Sequence, residues 1–139
     1  MDHHAAGPRF AFAHNNINVI DLEKSLAFYQ QAFGFDTRFL HESGEYGELE
    51  TGGTALAFAS HGMGDQLLGG RYVKAAPAAD PLGIELAFVS DDVVAAHARA
   101  VAAGATSVAV PAVQPWGQTV AYVRDMNGVL VELCSPIGG

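Results

Sequence analysis

A chain of 139 residues, half of them hydrophobic and 16% charged, carries enough apolar material for one folded domain and gives no grounds for disorder. Seven lysines and arginines against 15 aspartates and glutamates leave a formal charge of −8, which argues against nucleic-acid binding, since that needs basic side chains to replace phosphate counterions. No apolar run approaches the ~18 residues of a membrane helix. The opening residues show neither a basic n-region nor an apolar h-region, so no signal peptide is expected. The single cysteine, Cys134, excludes an intrachain disulfide and fits a reducing, cytoplasmic setting.

In chain order, His3 and His4 are expected in a disordered tail. Residues 10–20 then alternate as a strand, with Ile17 and Val19 on one face and His14, Asn16 and Asn18 on the other. Asp21 suits a helix N-cap, Leu22, Leu26, Tyr29 and Phe33 form one helical stripe, and Gly34 supplies the left-handed stop. Strands follow at 35–41 and 46–51, and Gly52-Gly53 turns the chain into a strand over 54–60. Residues 61–81, rich in glycine, alanine and proline, read as a linker or as a loop covering a site. Beyond them come a strand at 83–90 and an alanine-rich helix at 92–103, with Val94, Ala98 and Val101 on its inner stripe. Strands near 107–110, 119–124 and 129–134 complete the chain, the last two joined by the turn Asp125-Met126-Asn127-Gly128.

The order of strand, aspartate cap, helix, glycine stop and closing strands therefore occurs twice. One domain over 1–139 is expected, with half-modules at about 10–60 and 83–135 and a linker at 61–82. The fold class is α+β, two βαβββ modules related by a pseudo-twofold axis. Overlaying the halves pairs His14 with Glu85 and Ala57 with Glu132. Pseudo-equivalent side chains can converge on one central site, and three of these four would accept a divalent cation. Ala57 would not.

The helix segment Leu26-Ala27-Phe28-Tyr29-Gln30-Gln31-Ala32-Phe33-Gly34-Phe35 resembles a signature of the vicinal oxygen chelate superfamily. So does the tail running from Trp116-Gly117-Gln118-Thr119 through Arg124-Asp125-Met126-Asn127-Gly128 to Val131-Glu132-Leu133. That superfamily includes glyoxalase I, extradiol dioxygenases, methylmalonyl-CoA epimerase, fosfomycin-modifying enzymes and bleomycin-binding proteins. The resemblance implies an open cup of curled strands with metal and substrate in its mouth, and a homodimer that closes the exposed strand edges. It places His14 on the first-strand metal position, Glu85 where histidine is more usual, and Glu132 on the last-strand carboxylate. Ala57 falls where glyoxalase I and the epimerase carry a fourth ligand, so the pattern leans toward a three-ligand site. In such dimers the ligand set can come from both chains, so His14 can meet a partner's Glu85 and Glu132. Shared architecture does not carry the reaction with it.

One histidine and two carboxylates suit Fe, Mn or Mg, and would also take Zn, leaving open positions for two neighbouring substrate oxygens. The bland alternative is a hydrogen-bonded polar lining without metal. Glu85, on the cup-facing parity of its strand, is expected to be partly buried, so it needs a cation, a partner or a raised pKa that would make it a base. Glu85 and Glu132 are the candidate catalytic carboxylates. Asn16, Asn18 and Gln118 are candidates for orienting a ligand, and Trp116 for a stacking wall, though an aromatic in a loop is as often packing. His61 and His97 are weak cases, in the irregular stretch and on a helix surface respectively. His41 sits in a strand that can face the cup, and Cys134 reads as a small buried hydrophobe. No phosphate-binding glycine loop, nucleophile elbow or paired-cysteine zinc pattern competes. The leading expectation is a metal-dependent dioxygenase or lyase acting on a small molecule. Its rival is a metal-free protein that sequesters a bulky, cationic antibiotic in an acidic cup, a reading favoured by Ala57 and the net charge.

Overall fold

A computed structural model describes residues 7–137. His3 and His4 lie outside the described residues. The first half runs β1 (His14–Val19), α1 (Leu22–Phe33), β2 (Thr37–Leu40), β3 (Tyr46–Leu49), β4 (Ala55–Ser60). After α2 (His61–Leu68), the second half runs β5 (Glu85–Val89), α3 (Val93–Ala102), β6 (Thr106–Val113), β7 (Thr119–Arg124), β8 (Leu130–Cys134). Each half is a four-stranded sheet, in the orders β1-β4-β3-β2 and β5-β8-β7-β6. Within each, the first and last strands pair parallel and the other pairs are antiparallel. The two sheets thus repeat one topology, and this is the expected pair of βαβββ modules.

Local chemistry sets the helix limits. The Asp21 carboxylate accepts the Lys24 N–H at 3.0 Å, and Asp92 caps α3 by accepting the Ala95 N–H at 3.0 Å. Gly34, at φ +76°, closes α1 with its N–H on the Gln30 carbonyl. Leu22, Leu26 and Tyr29 of α1 are buried, together with Val19, Phe58, Val131 and Leu133 from the sheets, in one core shared by both modules. Across it, the Tyr29 hydroxyl donates to Asp125 Oδ2 at 2.5 Å, and Asn127 Nδ2 donates to Ser25 Oγ at 3.1 Å. These bonds lock α1 of the first half to the β7–β8 turn of the second. Arg99 of α3 adds a bond from its Nε to the Gln31 carbonyl at the end of α1, at 2.9 Å.

Two features differ from the sequence reading. The stretch taken as an irregular linker opens with a helix, α2. Gly62 and Gly64 cost it helix propensity, but Ser60 caps it by accepting the Met63 N–H at 3.0 Å and Gly69 ends it at φ +63°. In α3 the inner stripe is Val93, Ala96, Ala100 and Ala103, while Val94 and Val101 turn outward. Small residues let α3 lie close to α1, and on an alanine-rich helix hydrophobicity alone does not choose the stripe. The rest of the linker is tied down by Arg124, which donates to the Ala76 carbonyl at 3.1 Å and the Gly128 carbonyl at 3.0 Å.

Candidate functional site

The helices α1 and α3 cover one face of the sheets, and the candidate site residues are on the other. Strand register decides the grouping. In the first sheet His14 is beside Ala55, Asn16 beside Ala57 and Asn18 beside Ala59; Glu48 and Tyr46 on β3 flank Ala57 and Ala59 from the other side. Partners in register point to the same face. The open face of the first half therefore carries His14, Asn16, Asn18, Tyr46 and Glu48 over a row of alanines. In the second sheet Ala87 is beside Glu132, Glu132 is beside Tyr122, and Glu85 is beside Leu130.

Glu85 and Glu132 come together. Tyr122 Oη donates to Glu132 Oε1 at 3.0 Å. Although the side chain is exposed, partial desolvation by its strand neighbours, and then the negative charge of Glu132, raise the Glu85 carboxyl above its ordinary value, and the Tyr122 hydroxyl partly offsets them. Tyr122 itself is pushed up to about 12, by burial first and then by its bond to Glu132, so it stays a proton donor. The sequence placed Glu85 in a partly buried position, yet it is exposed, because no element among the described residues covers this face of β5.

His14 does not join these carboxylates within one chain. It packs against Tyr46, ring centroids 6.0 Å apart, on the first sheet. Among the described residues, no group of three or more His, Cys, Asp or Glu side chains is placed to hold a metal ion. The donor chemistry of the Glu85–Glu132 pair nevertheless suits a divalent cation. The Glu132 charge raises the proton affinity of Glu85, and a cation would relieve that repulsion. A metal held by this pair would need a third ligand from outside the half-site.

The remaining candidates are held by the protein. Trp116, on the β6–β7 turn, is 66% exposed and donates from Nε1 to Gln118 Oε1 at 2.7 Å. Gln118 Nε2 donates to the Ser135 carbonyl at 2.7 Å, so both ends of its amide are engaged. Asn18 donates to the Ser60 carbonyl at 3.3 Å, and Asn16 donates weakly to Asn18 Oδ1 at 3.4 Å. His41 is exposed just past β2, beside Ser43. His97 is bonded to Ser107. His61 opens α2 with its Nδ1 2.9 Å from Tyr72 Oη, and burial holds it below the usual histidine value. Burial, then the Glu132 charge, push the Cys134 thiol up, so it is a poor nucleophile.

Glu48, Tyr46 and Tyr122 escaped the sequence reading. Tyr46 Oη donates to Glu48 Oε2 at 2.7 Å, and burial followed by that bond pushes its hydroxyl up to about 12. Each half therefore holds a tyrosine–glutamate pair on its open face, with the first-half glutamate one strand away from Ala57. The available signal was the shared parity of Tyr46 and Glu48. Register with Ala57 was needed to give it meaning.

A family model described as the Glyoxalase/Bleomycin resistance protein/Dioxygenase superfamily matches residues 11–133. The chain belongs to this superfamily. Members bind small molecules, often with a divalent metal and often as dimers. A glyoxalase-related enzyme from Fulvimarina pelagi superposes with a TM-score of 0.74 at 24% identity, over 89% of this chain and 86% of that one. A glyoxalase/bleomycin resistance protein/dioxygenase family enzyme from Burkholderia phytofirmans PsJN gives 0.73 at 24% identity, over 89% and 97%. TioX from Micromonospora sp. ML1 gives 0.68 at 22% identity, over 91% and 98%. At these identities the likeness is one of fold. No curated protein sequence matches the chain significantly. No helix among the described residues is long and apolar enough to cross a membrane.

Proposed function

We propose that this superfamily member is a small-molecule metalloenzyme of the dioxygenase or lyase type, with its site completed between two copies of the chain. The paired carboxylates Glu85 and Glu132, bridged to Tyr122 on an uncovered sheet face, carry the reading. Glu85 and Glu132 would hold the metal together with His14 of the partner subunit, an arrangement consistent with His14 lying apart from them within one chain. A divalent ion bound there would act as a Lewis acid toward two neighbouring oxygens of the substrate.

The chain's own groups supply the rest. The Tyr122 hydroxyl, protonated at neutral pH, can donate to a developing oxyanion near Glu132. Glu85, its carboxyl raised, is the group best placed to accept a proton when the metal does not engage both its oxygens. Trp116 provides an exposed aromatic wall held in place by Gln118. Asn16 and Asn18 line the first-half face, where their amides can orient a polar ligand. Dimer formation is supported by the apolar surface left in water, including Ile84 at 74% and Val89 at 66% exposure on and beside the β5 edge.

Ala57 favours a second reading, a metal-free sequestering protein, because it removes a fourth ligand from the first half. Metal analysis of protein purified without chelator separates the two. About one equivalent of a first-row metal or Mg per site, lost in Glu132→Gln, supports the enzyme. Metal-free protein that gains no thermal stability from any such ion supports sequestration.

A further inference from the structure

Between α2 and the open face of the first sheet lies a cavity of about 280 Å³, bounded by His14, Asn18, Tyr46 and Ala59 below and by Met63 and Leu68 above. Of β4 the floor includes Ala59, from a strand that presents only alanines to that face, Ala55, Ala57 and Ala59. The matching strand β8 presents Leu130, Glu132 and Cys134. A larger side chain at position 59 would occupy the space.

The roof depends on Gly64. A Cβ there would come within 2.6 Å of Asn18 Nδ2 and 2.8 Å of Tyr72 Oη, so glycine lets α2 settle here without displacing those two side chains. Leu68, at the cavity, and Leu67, at its edge, are left 47% and 75% exposed.

The polar atoms of the walls are largely answered by the protein. Tyr46 donates to Glu48, and the Asn18 amide donates to Ser60 and accepts from Asn16. What faces the cavity is mostly carbon, and such space favours apolar occupants. Sites for drug-sized ligands begin at roughly 300 Å³, so this one suits part of a ligand, one or two rings across.

We propose that this cavity is a specificity pocket that takes an uncharged, apolar one- or two-ring group of the ligand, beside His14 and under α2. The inference rests on the reading that the open sheet faces bind the ligand, and not on the metal. A polar or charged group seated against Ala59, Met63 and Leu68 would exchange its hydration for mostly carbon surroundings.

The probe is N-phenyl-1-naphthylamine, a neutral two-ring fluorophore, titrated into the full chain in the presence of a chelator. Wild type should bind it saturably, one per chain. Ala59→Phe, which fills the floor, should weaken binding about tenfold or more, and Leu68→Asp, which charges the roof, should do the same. Glu23→Gln should stay within about twofold, because it is exposed on α1, on the opposite side of the sheet from the cavity. Circular dichroism checks each fold; Leu68 is half exposed, so its variant serves if Ala59→Phe does not fold. Absence of saturable binding by wild type, or unchanged affinity in a folded Ala59→Phe or Leu68→Asp, would overturn the proposal. Because chelator is present throughout, a failed metal site leaves this titration untouched.

Discussion

Replacing Glu132 by Gln probes the carboxylate pair directly. The amide keeps an oxygen to accept the Tyr122 hydroxyl, now at 3.0 Å, but removes the negative charge that, after burial, raises Glu85. Two unit charges ~4 Å apart repel by ~1 kcal/mol in water and ~4 kcal/mol at an effective dielectric of 20. On this open, water-facing sheet the lower figure applies, so the variant without metal should be unchanged or more stable by up to ~1 kcal/mol. For a domain of this size that is roughly 3–5 °C in Tm. Metal acts in the opposite sense. An ion a hundredfold above its Kd stabilises wild type by ~2.7 kcal/mol, roughly 10 °C, and should do little for the variant. The pH dependence carries its own sign. A carboxyl whose folded pKa is raised makes the folded state hold its proton more tightly, so Glu85 adds stability as pH falls from 7 toward the carboxylate range and loses it as pH rises. Glu132→Gln should reduce that gain. Thermal melts of both proteins, with and without Mn, Fe(II), Mg and Zn, read all of this. If Glu132→Gln lowers the Tm of metal-free protein and no ion shifts wild type, the metal reading is wrong and sequestration takes its place.

Tyr29→Phe removes the donor to buried Asp125, and urea unfolding should show a loss of about 1.5–3 kcal/mol at pH 7. Burial already raises the Asp125 carboxyl and the Tyr29 bond lowers it, so the loss should shrink in mildly acidic buffer, where that carboxyl can take up a proton. Gly128→Ala combines φ +86° with a Cβ placed 2.6 Å from the Ala76 carbonyl oxygen, and should destabilise by about 1–3 kcal/mol and free the linker to protease near residue 76. Light scattering should give a dimer mass at micromolar concentration, and Val89→Asp should lower it toward the monomer; a wild-type monomer at all concentrations would remove the shared-site proposal.

The features legible from sequence are those set within a few residues of chain. Asp21 and Asp92 cap the helices that follow them, Gly34 stops α1, and β7 spans 119–124 as expected, because each depends on chemistry within a few residues of chain. The repeat of these local signals was enough to expose the two βαβββ modules. The α2 helix was hidden because its glycines argue against it, while the contacts that hold it, on Asn18 and Tyr72, come from outside the helix. Hydrophobicity in α3 pointed to Val94 and Val101, and packing against α1 turned them outward. Of the candidate site, parity placed His14 and Glu85 on open faces, and the family resemblance placed Glu132 there. That Glu85 meets Glu132 and Tyr122, that Glu48 flanks Ala57, and that His14 stands on the other sheet follow from strand register and from how two modules dock. Those are set by residues tens of positions apart, whose pairing energy no local pattern records.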